Sequence, residues 1–125
     1  MPSEAFGKTL RLLNARDYGA VFDDAPVRAS HQHLLILSKP NNLSYPRLGL
    51  VIAKKNVRLA VQRNRIKRIL RESFRLNQHQ LAGLDVVILA RRGLDGLDNQ
   101  QLQKLVSKQW QRLLKRKAQL DSKSA

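Results

Sequence analysis

The 125-residue chain contains no cysteine. Disulfides, thiolate nucleophiles and cysteine-ligated zinc are therefore excluded, and stability must come from packing. Acidic residues are scarce: nine Asp and Glu stand against 24 Lys and Arg, giving a net charge of +15 and an isoelectric point near 11.3. A compact domain with that imbalance repels itself, which predicts a polyanionic partner. Long apolar runs are missing as well. No stretch approaches the roughly 18 apolar residues of a spanning helix, and the amino end carries no apolar signal-peptide core. The expectation is a cytoplasmic protein with no membrane role. No glycine-rich phosphate loop is present, and the length suits one domain over residues 1–125, without room for a separate catalytic module.

What is present is positive charge laid on a helical pattern. Between Lys54 and Arg75 stand nine basic residues and a single acid, Glu72. Ile66, Ile69, Leu70 and Phe74 recur three and four apart within this segment, so one face packs while Asn64, Arg68, Arg71 and Arg75 form an outward row. Fork-shaped guanidinium donors in a row suit phosphate oxygens. An ordinary solvated helix would mix its signs, but here Arg68 with Glu72 is the one i, i+4 pair of opposite charge. An RNA-binding surface is the favoured reading.

A protein nuclease needs carboxylates grouped around metals, or a histidine pair for acid and base work. His31 and His33 share one side of an extended segment without a third ligand at suitable spacing, and His79 stands alone in a polar connection. Asp23 and Asp24 close a helix and read as a solvated turn, as does Asp95, while Asp98 reads as a helix cap and Glu72 as a partner of Arg68 and Arg75. No catalytic residue and no protein-held metal is expected.

Along the chain, residues 1–13 read as an extended lead-in. Asn14 caps a short helix, with Asp17 at its third position and Tyr18, Val21 and Phe22 at helical spacing as far as Asp23. Leu34–Leu37 reads as a strand, and Arg47–Lys54 as a second in which Leu48, Leu50 and Ile52 share one face and Gly49, Val51 and Ala53 a shallower one. The basic helix follows over Val57–Leu76, then a central strand over Asp85–Ala90 ending in Arg91 and Arg92. Asp98 opens a last helix, with Leu102, Leu105, Val106, Leu113 and Leu114 on its buried face, Trp110 at the edge of that face, and a frayed basic tail over 118–125. The expected fold is an α+β sandwich of order α-β-β-α-β-α.

The sequence Lys54-Lys55-Asn56-Val57, followed by Arg63-Asn64-Arg65-Ile66-Lys67-Arg68 and Glu72-Ser73-Phe74-Arg75, resembles the signature of the bacterial ribonuclease P protein subunit, the basic partner of a catalytic RNA. Asp17-Tyr18, Val21-Phe22, Arg47-Leu48-Gly49-Leu50 and Val87 to Arg92 extend the resemblance over nearly the whole chain. It implies a left-handed crossover of the basic helix between two parallel strands, where general rules favour the right hand. It further implies that Arg58, Arg63, Asn64, Arg65, Lys67, Arg68, Arg71 and Arg75 face the catalytic RNA. A separate cleft walled by Tyr18, Phe22, Lys54, Lys55, Arg91 and Arg92 would hold the single-stranded 5′ leader of precursor tRNA.

The implied partners are the catalytic RNA, with one protein per RNA, and precursor tRNA; magnesium would sit mainly on the RNA. By spacing alone Tyr18 and Phe22 read as core; the resemblance makes them a stacking platform. Members with a phenylalanine at the position of Tyr18 and an aromatic on the first strand, where Leu35, Ile36 and Leu37 stand here, imply a smaller platform in this chain. Two other readings stay open: a structural RNA-binding protein such as a ribosomal component with a similar sandwich, and an autonomous nuclease.

Overall fold

The computed structural model describes residues 14–124; the expected lead-in over 1–13 lies outside them. Helix α1 spans Ala15–Asp23 and opens on a reciprocal cap: Asp17 N–H donates to Asn14 Oδ1 at 2.9 Å, while Asn14 N–H donates to Asp17 Oδ2 at 3.1 Å. Strands β1 (Val27–Ser30), β2 (Leu34–Pro40), β3 (Arg47–Val51) and β4 (Leu84–Ala90) form one sheet in the order β1-β2-β4-β3. Helix α2 (Ala60–Leu76) joins β3 to β4, which pair in parallel, so the crossover of the basic helix between parallel strands is present. A short 3-10 turn at Leu94–Gly96 leads to helix α3 (Asn99–Ser124).

The sheet separates two unequal layers. Leu34, Ile36, Leu48, Leu84, Val86, Ile88 and Ala90 point to one face and join Ile66, Leu70 and Phe74 of α2 with Leu102, Val106, Trp110 and Leu113 of α3 in the main core. Trp110 is central to that core, 1% exposed, with its ring 6.2 Å from Phe74 and its Nε1–H donating to Ser73 Oγ at 2.9 Å. The placement at the edge of the helical face is thus corrected: the hydroxyl of Ser73 supplies the partner that lets an indole go fully inside. On the opposite face, Val21 and Ala25 pack over Leu37 and Val87, and Tyr18, Leu35, Val51 and Leu89 remain partly open around them.

Several boundaries differ from the sequence expectation. Strand β1 was not expected; its four residues follow Pro26, alternate buried and exposed, and pair antiparallel with β2, a signal too short to stand out from the loop. The order is therefore α-β-β-β-α-β-α. Strand β3 ends at Val51 rather than Lys54, and α2 begins at Ala60 rather than Val57. Between them the chain makes a turn in which Asn56 and Val57 N–H both donate to Ala53 O at 3.0 Å, while Asn56 Nδ2 donates to Ala90 O at 2.9 Å. The tail expected to fray from residue 118 continues α3 to Ser124.

Candidate nucleic-acid interface

The basic side chains of the helix are used in two ways. Arg63 folds back toward the preceding turn, its NH1 donating to Val57 O at 3.0 Å and Arg58 O at 2.8 Å. Arg65 is half-buried and spends its fork internally: Nε on Gln62 Oε1 (2.8 Å), NH1 on Asn99 Oδ1 (2.8 Å), and NH2 on Leu97 O (3.0 Å) and Asp95 O (3.3 Å). It ties α2 to the segment leading into α3. Arg75 binds Glu72, and the Glu72 carboxyl is held below its ordinary value by that hydrogen bond; Arg68, the other expected partner of Glu72, has no such bond. Asn64, Arg68 and Arg71 are exposed with no side-chain partner among the described residues, as is Arg58 ahead of the helix, and Lys67 is half-buried and equally unpaired.

This division predicts separable phenotypes. Arg65→Ala should lower unfolding stability by about 1 to 2 kcal/mol, the range for a few part-buried charge-assisted bonds. Arg68→Ala and Arg71→Ala should leave the thermal midpoint at that of the parent. Denaturant titration decides it, and equal stability of all three variants would remove Arg65 from its clamping role.

The second surface lies on the α1 face. Because β3 and β4 run parallel, their carboxyl ends bring Lys54 and Lys55, and Arg91 and Arg92, to the same end of the sheet. Lys54, Lys55 and Arg92 are exposed; Arg91 is half-buried and donates to His31 O at 2.8 Å and Ser30 Oγ at 3.1 Å. Tyr18 is fixed. Leu50 N–H donates to its hydroxyl at 3.0 Å, so the ring caps an edge strand whose amide has no strand partner on that side. Gly49 makes this possible, since a Cβ there would fall 2.5 Å from the Tyr18 ring. The shallow face noted around Gly49 is the sequence signal for that cradle. Phe22 stacks beside Tyr18, rings 6.4 Å apart and 22° from parallel, yet is 48% exposed. Of the three α1 residues at helical spacing, Val21 is core, Tyr18 is half-buried scaffold and Phe22 an open aromatic face.

A carboxylate brace sets the angle of α1. Arg47 donates to both oxygens of Asp85, at 2.8 and 2.6 Å, and reaches Asp17 at 3.3 Å; Asn41 Nδ2 also donates to Asp85, at 3.0 Å. The bond to Asp85 raises the Arg47 pKa above its ordinary value. This brace anchors the amino end of the helix at one end of the sheet and leaves Leu35, Val51 and Leu89 as an open apolar floor toward the other. The sequence places Val51 on a shallow face and Leu35 on the first strand without joining them to Leu89 in one floor, because alternation marks a face without saying how much of it a helix covers.

His31 and His33 are each tied by a ring nitrogen to the backbone. They lie in the β1–β2 turn rather than on a strand, their rings 5.6 Å apart. His33 N–H donates to His31 Nδ1 at 3.1 Å, and His33 Nδ1 bonds Arg92 O at the same distance. Burial and then the neighbouring His33, Arg112 and Arg91 lower the His31 pKa. Among the described residues, no group of three or more His, Asp or Glu could hold a metal ion, and no helix is long and apolar enough to cross a membrane.

A family model described as Ribonuclease P matches residues 6–114. The chain belongs to the ribonuclease P protein family. It is 51% identical over 122 residues to the ribonuclease P protein component of Pseudomonas aeruginosa, covering 98% of this chain and 90% of that one. With the Azotobacter vinelandii component the identity is 50% over 119 residues, covering 95% and 92%. The RNase P protein of Thermotoga maritima superposes with a TM-score of 0.68 at 31% identity, over 85% of this chain and 96% of that one. That of Staphylococcus aureus gives 0.76 at 23% identity, over 83% and 94%, and so speaks to the fold. The α+β sandwich is thus the fold of ribonuclease P proteins.

Proposed function

We propose that the protein is the RNA-gripping subunit of ribonuclease P: it binds the catalytic RNA through α2, holds the 5′ leader of precursor tRNA against α1 and the sheet, and promotes removal of that leader. The observation that carries this reading is the pair of surfaces on opposite faces of one sheet. One is a row of uncompensated cations on α2, the other an aromatic and basic cleft. A passive structural binder needs only the first.

In this reading the bond-breaking chemistry and its magnesium belong to the RNA, and the assembly works in the cytoplasm with one protein per catalytic RNA. Among the described residues no group of three or more His, Asp or Glu suits a magnesium ion, so no step is routed through an ion on the protein. Arg58, Asn64, Lys67, Arg68 and Arg71 neutralise or hydrogen-bond phosphates, while Arg63, Arg65 and Arg75 hold the row in shape. In the cleft, Phe22 stacks on a base, Tyr18 backs it, and Lys54, Lys55, Arg91 and Arg92 follow the backbone. Stacking accepts every base, so the leader sequence is free to vary.

Salt dependence tests the α2 assignment. With about five phosphates neutralised, the log-log slope of affinity for the catalytic RNA should be roughly −3.5 to −4.5. Arg68→Ala or Arg71→Ala should make it shallower by about 0.7 to 0.9, one contact each. Slopes identical to the parent's would withdraw α2 from the interface.

A further inference from the structure

The continuous helix α3 carries Lys104, Lys108, Arg112, Lys115 and Arg116, all exposed. Its one acid, Asp121, is taken by Lys117 at 3.0 Å. At about 100° per residue, Lys104, Lys108 and Lys115 fall within about 40° of one line along the helix, and Arg112 and Arg116 on the next line. That second line meets strand β1. Arg112 NH1 donates to Ser30 O at 3.2 Å, Arg116 NH1 to Arg28 O at 3.2 Å, and Arg28 Nε to Ala25 O at 3.3 Å. Two guanidinium groups of α3 are therefore held against an edge strand, each through a carbonyl and, among the described residues, neither through a carboxylate, while Arg28 turns to the other face of that strand. Each retains most of its five N–H donors. Arg112, Lys115, Arg116 and Gln119 line a concavity of about 310 Å³.

Held cations without a counter-charge repel one another, and a bound anion removes the repulsion. We propose that the α3–β1 seam is a further phosphate-binding surface, with Arg112 and Arg116 seating a phosphodiester and Lys115, Lys108 and Lys104 continuing the track. Its occupant is the backbone of the catalytic RNA. The argument is positional: α3 packs beside α2 on the same face of the sheet, whereas the leader cleft lies on the other. The inference rests on the reading of α2 as the catalytic-RNA face, and extends that footprint across the whole helical layer.

The test compares the full-length parent with Lys104→Gln/Lys108→Gln, whose side chains make no bond among the described residues, with Arg112→Gln/Arg116→Gln, and with Arg68→Ala/Arg71→Ala on α2. Affinity for the catalytic RNA is measured against salt, and the ratio of precursor to mature tRNA affinity in the assembled holoenzyme. Each α3 pair should flatten the salt slope by about 1.4 to 1.8, two phosphates, and leave the ratio at the parent's value. Unchanged slopes for both α3 pairs, with a flattened slope for the α2 pair, would overturn the seam while sparing α2. A reduced ratio with an unchanged slope would overturn it too, by giving the seam to the substrate. If neither helix alters the slope, the α2 reading fails with it.

Discussion

Precursor tRNA should remain intact when mixed with the purified protein alone, and should be cleaved at the leader junction once the catalytic RNA of ribonuclease P is added. The expectation follows from how the polar groups are spent. Among the described carboxylates, Asp85 and Asp17 are held by Arg47, Glu72 by Arg75, and Asp121 by Lys117, while Asp98 caps α3 by accepting from Gln101 N–H at 2.7 Å. Asp23, Asp24 and Asp95 stand apart from any metal-holding group. His31 and His33 are bonded to each other and to the backbone. With the RNA present, cleavage should proceed at modest magnesium, because +15 of charge offsets repulsion between two polyanions. High magnesium should partly replace the protein. His31→Ala, His33→Ala and Glu72→Gln should leave the cleavage step at saturating substrate within about twofold of the parent, since general acid or base roles are worth about 10²–10⁴. Leader removal by RNA-free protein, lost in one of these variants, would revive the protein nuclease.

The second large effect belongs to Phe22. Its ring is exposed and makes no hydrogen bond, so Phe22→Ala should cost the holoenzyme about 1 to 3 kcal/mol of precursor affinity, the worth of one stacked base, while mature tRNA binds as before. Thermal stability should hardly move. Tyr18→Ala should cost both quantities, because the ring fills the cradle over Gly49 and its hydroxyl caps Leu50. Tyr18→Phe separates the two: it keeps the ring, loses the cap, and should retain most of the leader affinity. Gly49→Ala should resemble Tyr18→Ala by pushing the ring out. Should Phe22→Ala unfold the protein and leave leader affinity intact, the aromatic face is packing and the cleft has no platform.

The sequence made the layout legible where periodicity was long. The apolar spacing of Ile66, Ile69, Leu70 and Phe74 located α2, and the unbroken run from Val86 to Ala90 located the central strand. It failed for β1, whose four residues alternate too briefly to outweigh Pro26 and the turn that follows. Helical spacing also could not tell Arg65 from Arg68. Both lie on the helix beside Ile66 and Ile69, and the difference is made by Asp95, Leu97 and Asn99, some 30 residues downstream, which fold against one guanidinium and not the other. Tyr18 and Phe22 were equally ambiguous, since two aromatics one turn apart look alike until the sheet shows which of them it reaches. The role of Gly49 became plain only once Tyr18 lay over it.

The most direct test of the account is the identity of the RNA that copurifies with the protein from its native cells at low salt. Sequencing should return the RNA subunit of ribonuclease P as the dominant species, released as salt is raised, with precursor tRNAs enriched over mature ones. Recovery of ribosomal RNA in its place, with no ribonuclease P RNA, would contradict the account and make the sandwich a structural ribosome-associated binder.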